Sequence, residues 1–291
     1  MKRILITGKN SYIGNHIQEW LLRSSENEYQ INKISVRNKT WESEDFSAYD
    51  VLIHVAGIVH HPEIQDEELY KRINTDLPVE IAQKAKTEGV RQFIFFSTMA
   101  VYGVEKSLKG EIISKDTKPE PNGLYGKSKY LAEQELRKLS DEGFKTVIVR
   151  PPNVYGRDCP GNYISGFSSV VRKLPAIPSA YEDTRQSMLY IDNLTELVRQ
   201  LIDHEAEGIY MPQDDRPISA VELMEGIAKA LGIRRRRSNL LGFFMRVLCW
   251  TSIVRKAYGG VMYDQELSSI VFPHHAVSFE DAINRSIETG I

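Results

Sequence analysis

Tyr125 and Lys129 stand four residues apart in Tyr125-Gly-Lys-Ser-Lys129, a spacing that sets both side chains on one face of a helix. A phenol ordinarily titrates near ~10, so at neutral pH it gives or takes a proton effectively only where a nearby positive charge stabilises the phenolate. Lys129 can supply that charge, although taken alone the pair reads as an ordinary surface couple. Its weight comes from Phe95-Phe-Ser97-Thr98-Met-Ala-Val-Tyr102-Gly103 upstream, where a β-branched and aromatic run ends in two hydroxyls. Ligands of open parallel sheets sit at the carboxyl ends of the strands, so Thr98 is placed to hydrogen-bond a carbonyl or hydroxyl beside Tyr125. In isolation Ser97 and Thr98 would read as strand-end caps; together with Tyr125 and Lys129 they point to proton transfer at an oxygen atom.

A second constellation is Gly8-Lys-Asn-Ser11-Tyr12-Ile13-Gly14, between a short apolar run and a helical pattern. Small residues there let backbone amides at a helix N-terminus approach a pyrophosphate. A glycine pair at this spacing is otherwise a plain turn, and it is the strand before and the helix after that make it a dinucleotide-binding candidate.

The elements that must position these groups follow a βαβ rhythm, short β-branched or aromatic runs alternating with helical period, which implies a parallel sheet. Strands are expected over 3–7, 31–36, 51–56, 91–96 and 146–149, and helices over 15–23, 74–88, 125–139 and 192–203. Gly89 ends the second of these helices and Pro151-Pro152 stops the last strand. Ser219-Ala-Val-Glu222 is a capping box for a helix to Leu231, with Gly232 at its end.

These segments together resemble the extended short-chain dehydrogenase/reductase family, which includes sugar-nucleotide epimerases, dehydratases and reductases, over positions 1 to roughly 231. The family's turn runs Gly-x-x-Gly-x-x-Gly; Ser11 stands at the middle glycine, where a small hydroxyl side chain fits if its backbone avoids strongly positive φ. The resemblance implies that Gly8, Ser11, Tyr12, Ile13 and Gly14 cradle the cofactor, that Ala56-Gly57 passes beneath it, and that Asn74 opens the next helix. Asp45-Phe46 resembles the pair that holds adenine, and Ser97, Tyr125, Lys129 and Pro152 complete the cofactor set. It makes Thr98, Tyr125 and Lys129 catalytic. Asn153, in Pro152-Asn153-Val-Tyr155-Gly156, would bind the sugar or its diphosphate, and Arg185, ahead of Tyr190-Ile-Asp192-Asn193, would clamp the diphosphate, with Gln186 where an acid is usual.

The expected architecture is α/β: a Rossmann-type doubly wound parallel sheet with a smaller α/β C-terminal substrate lobe. Residues 1–152, with a return helix at about 186–205, form the dinucleotide-binding domain; 153–185 and 206–291 form the lobe. Near the end of the second strand an acid suits a free ribose 2′-hydroxyl and a cation suits a 2′-phosphate. Arg37, with Lys39 nearby, therefore favours NADP(H), with NAD(H) as the alternative; the plain reading is a solvated arginine.

A 4,6-dehydratase needs an additional acid and base just after the catalytic threonine, and Met99 and Ala100 transfer no protons. Two reactions at C4 of a nucleotide-diphosphate sugar remain: reduction of a 4-keto sugar in surface polysaccharide precursor synthesis, toward which Arg37 leans, and 4-epimerisation with tightly held NAD. A non-catalytic nucleotide-sensing scaffold is the reading from another class, opposed by the intact Thr98, Tyr125 and Lys129.

The chain has 291 residues, 42% hydrophobic and 26% charged, enough for a sizeable core. A net charge of -2 provides no global field for nucleic acid. Cys159 and Cys249 lack the close pairing of zinc or redox sites, and the apolar start Ile4-Leu-Ile6 is too short for a signal-peptide core, so a cytoplasmic protein is expected. His54, His60 and His61 read as core or loop residues rather than a metal cluster. Arg234–Arg237 and the apolar stretch 240–250 form a candidate weak membrane-surface contact, the plain alternative being a solvated basic turn. A homodimer is a further implication of the family.

Overall fold

A computed structural model describes residues 1–24, 28–59, 65–160, 163–268 and 277–287. Six strands form the central sheet: β1 (Lys2–Thr7), β2 (Tyr29–Ile34), β3 (Val51–His54), β4 (Gln92–Phe96), β5 (Lys145–Val149) and β6 (Gly208–Tyr210). Their order is β2-β1-β3-β4-β5-β6 and every pairing is parallel. The chain steps outward from β1 to β2 and then returns to the other side of β1 at β3, so the order reverses where such sheets open a ligand crevice. β6 joins this sheet although the sequence reading placed 206–291 in the smaller lobe; its three residues are too few to carry a periodic signal.

Alternation along the strands explains the two cores. Ile4, Ile6, Val51, Ile53, Ile94, Phe96, Val147 and Val149 face α1 (Tyr12–Ser24) and α6 (Ile191–Asp203), which pack on each other and contribute Ile17, Leu21, Leu194, Leu197, Val198 and Leu201. Leu5, Leu52, Phe93 and Phe95 point the other way, against Ile81, Ala82 and Ala85 of α3 (Leu77–Thr87) and Ala132 and Leu136 of α4 (Leu124–Leu139).

The helix expected from Asn74 begins earlier. Asp66 caps α2 (Glu67–Lys71) by accepting the Leu69 amide at 2.9 Å, and residues 72–76 make a π-helical turn into α3. Pro78 has no amide hydrogen to send to the Asn74 carbonyl, and the helix widens at that place. Asn74 therefore sits within a continuous helical run rather than at its start.

Beyond β5 lie short two-stranded pairings. Asn153–Tyr155 lies parallel to Met188–Tyr190, Arg185–Gln186 runs antiparallel to Ile218–Ser219, and Ile177–Pro178 pairs with Arg237–Ser238. Around them stand α5 (Tyr163–Lys173), α7 (Ala220–Ala230), α8 (Asn239–Val247) and α9 (Ser252–Tyr258). The capping box of α7 is formed as the sequence predicts.

Candidate active site

The turn after β1 is defined by what cannot be there. A Cβ on Gly8, which has φ +88°, would stand 3.2 Å from the Ala56 amide nitrogen. One on Gly14 would stand 3.2 Å from side-chain methyls of Ile6 and Val55. Both glycines thus let the turn lie against the ends of β1 and β3. Ser11 donates its amide to the Gly8 carbonyl at 2.8 Å, and its hydroxyl accepts the Gly14 amide at 3.2 Å, so it caps α1. Its φ is not positive, as a serine at that place requires. The amides of Tyr12 and Ile13, in the first helical turn, have no intrahelical acceptor and stand at the positive end of the helix dipole, which suits a pyrophosphate.

The loop after β3 is tied to α4. The fully buried Asn74 accepts the Ile58 amide and donates to the Ile58 carbonyl, both at 2.9 Å, and donates to the Ser128 hydroxyl at 3.2 Å. Thr75 donates to the Ser128 carbonyl at 2.7 Å. A Cβ on Gly57 would come within 2.9 Å of Asn74 Oδ1 and 3.4 Å of Lys129 Nζ. Ala56-Gly57, Asn74 and Lys129 are therefore neighbours, with bare backbone on one side of the ammonium.

Thr98 lies just beyond β4 and caps a short 3₁₀ turn, Met99–Tyr102, by accepting the Ala100 amide at 3.1 Å. Tyr125 is in the first turn of α4, close to Thr98. Burial pushes the phenol up to about 12, partly offset by a hydrogen bond from Thr98. Lys129, one turn on, sits 2.8 Å from the Phe96 carbonyl and 4.6 Å from the centre of the Phe95 ring. Burial brings its ammonium down to about 8, opposed by Glu133. The Lys129 ammonium thus stands between the carbonyl at the end of β4 and the backbone of Gly57.

Behind these groups is a network that sequence reading missed. Glu133, 1% exposed, accepts the Ser97 hydroxyl and takes Arg150 Nε at 3.0 Å and an Arg150 terminal nitrogen at 2.5 Å. The other terminal nitrogen of Arg150 donates to the Tyr102 hydroxyl at 2.9 Å, and the Arg150 carbonyl accepts the Tyr263 hydroxyl at 2.8 Å. One ion pair thus joins the ends of β4 and β5 to α4. Ser97 thus gives its hydroxyl proton to Glu133. The available signal was Glu133 itself, four residues after Lys129 on the same helical face.

Other expected site residues are placed differently. β2 ends at Ile34, whose carbonyl accepts the amides of Gly8 and Lys9 at 3.0 and 3.1 Å, so the segment carrying Arg37 leaves from beside the glycine turn. Arg37 is exposed and its guanidinium has no hydrogen bond or ion pair among the described residues. Phe46 does not present its ring to a ligand. It is fully buried among Leu5, Leu52 and Phe93, with its amide donated to Glu88 at 2.6 Å, and the Asp45 carboxylate accepts the Ser47 amide and hydroxyl. Pro152 is buried, and Asn153 beside it is exposed, its side-chain amide without a hydrogen bond among the described residues. Arg185 donates to Glu222 at 2.5 Å, so its charge is already paired within the α7 capping box, while Gln186 is buried and accepts Lys106 Nζ at 2.9 Å. His54 is buried with Nδ1 2.9 Å from the Thr7 hydroxyl; His60 and His61 lie outside the described residues.

The profile of the NAD dependent epimerase/dehydratase family matches residues 4–210. UDP-glucose 4-epimerase of Vibrio cholerae is 29% identical over 253 residues, 79% of this chain and 76% of its own length. The fold resembles UDP-glucuronic acid 4-epimerase from Bacillus cereus in complex with NAD, with TM-score 0.71, 18% identity and 98% and 97% of the two chains covered. It likewise resembles dTDP-4-dehydrorhamnose reductase from Bacillus anthracis in complex with NADP, with TM-score 0.69, 21% identity and 99% and 100% covered. With the family profile spanning β1 to β6, the chain belongs to the NAD dependent epimerase/dehydratase family, among the extended short-chain dehydrogenases/reductases, and is an NAD(P)-dependent enzyme.

Proposed function

We propose that the protein reduces the 4-keto group of a nucleotide-diphosphate sugar, with NADPH as reductant, in the supply of surface polysaccharide precursors. The observation that carries the chemistry is the placement of Thr98 next to the buried phenol of Tyr125, with Lys129 one helical turn on, at the carboxyl edge of the sheet. The reduced nicotinamide would supply hydride to C4. Tyr125 gives its hydroxyl proton to O4 as the carbonyl becomes an alcohol. Thr98 holds the same oxygen through its hydroxyl. Lys129 stands one turn away to stabilise the phenolate left behind until solvent returns the proton. The residues of 1–152 with the return helix hold the dinucleotide in this reading, and 153–185 with 206–291 hold the sugar nucleotide, Asn153 being the exposed amide nearest the end of β5.

Arg37 supports reduction over epimerisation. Its guanidinium, on the segment leaving from beside the glycine turn and without a partner among the described residues, suits a 2′-phosphate, and choosing NADPH benefits an enzyme that exchanges its cofactor with a reducing pool. The Vibrio relative favours a second reading, a 4-epimerase in which Tyr125 acts first as base and then as acid. Incubation with NADPH and a dTDP- or GDP-linked 4-keto-6-deoxyhexose separates the two. Equimolar NADPH consumption and C4-hydroxyl product are expected from the keto sugar; in a parallel incubation with UDP-glucose, interconversion with its C4 epimer without net NADPH loss would replace the reductase by the epimerase.

A further inference from the structure

The segment 234–258 contains six arginines, one lysine and no acidic residue in a chain whose net charge is -2, so the remainder is clearly acidic. It is anchored from beneath. Ile177 and Ser179 donate their amides to the Arg236 and Ser238 carbonyls at 2.9 and 3.1 Å, and Arg237 pairs with Glu225 and Glu182. Gly242 allows α8 to seat on the chain at Ser179, where a Cβ would stand 2.1 Å from the carbonyl oxygen. With the inner face fixed, Leu240, Phe243, Phe244, Val247 and Leu248 recur at the spacing of one helical face, and all five are exposed. Trp250 and Ile253 extend the stripe at 71% and 78% exposure. Arg234, Arg236, Arg246 and Lys256 are exposed along the same segment without ion-pair partners among the described residues.

We propose that this face lies on an anionic lipid bilayer, the aromatic and aliphatic side chains entering the headgroup boundary and the cations meeting lipid phosphates. No helix of the described residues is long and apolar enough to cross a membrane, so the contact is a surface one. Charge decides between occupants. A second copy of the same face would bring a second acid-free set of cations against the first, whereas an anionic membrane complements both the charge and the apolar stripe. The inference stands independently of the reaction at C4.

The test is co-sedimentation of the full chain with vesicles of phosphatidylcholine alone or with one quarter phosphatidylglycerol, at low and at 0.5 M salt. Binding to the anionic vesicles is expected, weakened at least about tenfold on the zwitterionic ones or at high salt, with a blue shift of fluorescence that Trp250→Phe removes. Phe243→Ser with Phe244→Ser should reduce binding at least about tenfold while circular dichroism and NADPH affinity stay those of the parent. Absence of binding to anionic vesicles, whether or not ultracentrifugation finds a dimer that these substitutions dissolve, overturns the proposal. So does binding that the double variant retains in full.

Discussion

Charge is handled in opposite ways at the carboxyl edge of the sheet and on the α8–α9 face. At the edge, Glu133 and Arg150 are buried and joined to Ser97 and Tyr102, and Lys129 is held against the Phe96 carbonyl. On the α8–α9 face, cations and aromatics stand in water with few intramolecular partners. Removing a charge from water costs several kcal/mol, so a buried pair persists where the position of its members matters. An apolar stripe left in water is tolerated where something outside covers it. The first arrangement fixes reacting groups and the second offers a contact.

The largest effect expected from breaking this contrast is on turnover. Tyr125→Phe removes the proton donor and should lower kcat by about 10²–10⁴-fold, with cofactor affinity within twofold by fluorescence titration. Next comes the buried pair: Glu133→Gln leaves Arg150 uncompensated and should destabilise by about 3–5 kcal/mol in urea, whereas Glu133→Leu combined with Arg150→Met should cost much less. If the single and double variants unfold alike, the pair is not what joins β4, β5 and α4.

A smaller effect concerns His54, whose pKa burial lowers to about 3, helped by Lys129, from an ordinary value of 6.5. Between those values the unfolded chain binds the proton and the native one does not, so stability falls as pH falls. Acidifying from pH 7 to 5 should remove about 2 kcal/mol through this group. Urea melts of the parent and His54→Gln at the two pH values should differ in their acid-induced loss by that amount; equal losses would mean that His54 is not held neutral. The smallest effect is on the outer face, where Phe244→Ser should change stability by no more than about 0.5 kcal/mol. A larger loss there would make the α8–α9 face part of the core and weaken the contrast with the edge.

What could be read in advance was local or periodic. Ile4-Leu-Ile6 and Phe93-Ile-Phe95-Phe96 announce strands, Gly8 and Gly14 flank a turn, and Tyr125 and Lys129 share a helical face by spacing alone. What escaped depends on distant partners. Nothing near Arg150 in sequence names Glu133, nothing near Arg185 names Glu222, and Phe46 becomes a core residue only because β1, β3 and β4 present apolar side chains to it. The start of α2 escaped because five residues with a single buried side chain, Tyr70, leave little periodicity to detect. Ser11 is the instructive intermediate: a departure from an all-glycine turn that the structure explains as a helix cap.

The reading of Arg37 as a 2′-phosphate ligand, and with it the choice of a reductase, is tested most directly by denaturing the purified protein, identifying any nucleotide released, and titrating the emptied protein and Arg37→Ser with NADPH and NADH. Little retained nucleotide and tighter binding of NADPH are expected, with the NADPH advantage reduced roughly tenfold or more in Arg37→Ser, the scale of a lost charge-assisted hydrogen bond. Near-stoichiometric release of NAD, with no preference for NADPH on titration, would contradict the reductase and make the protein an epimerase.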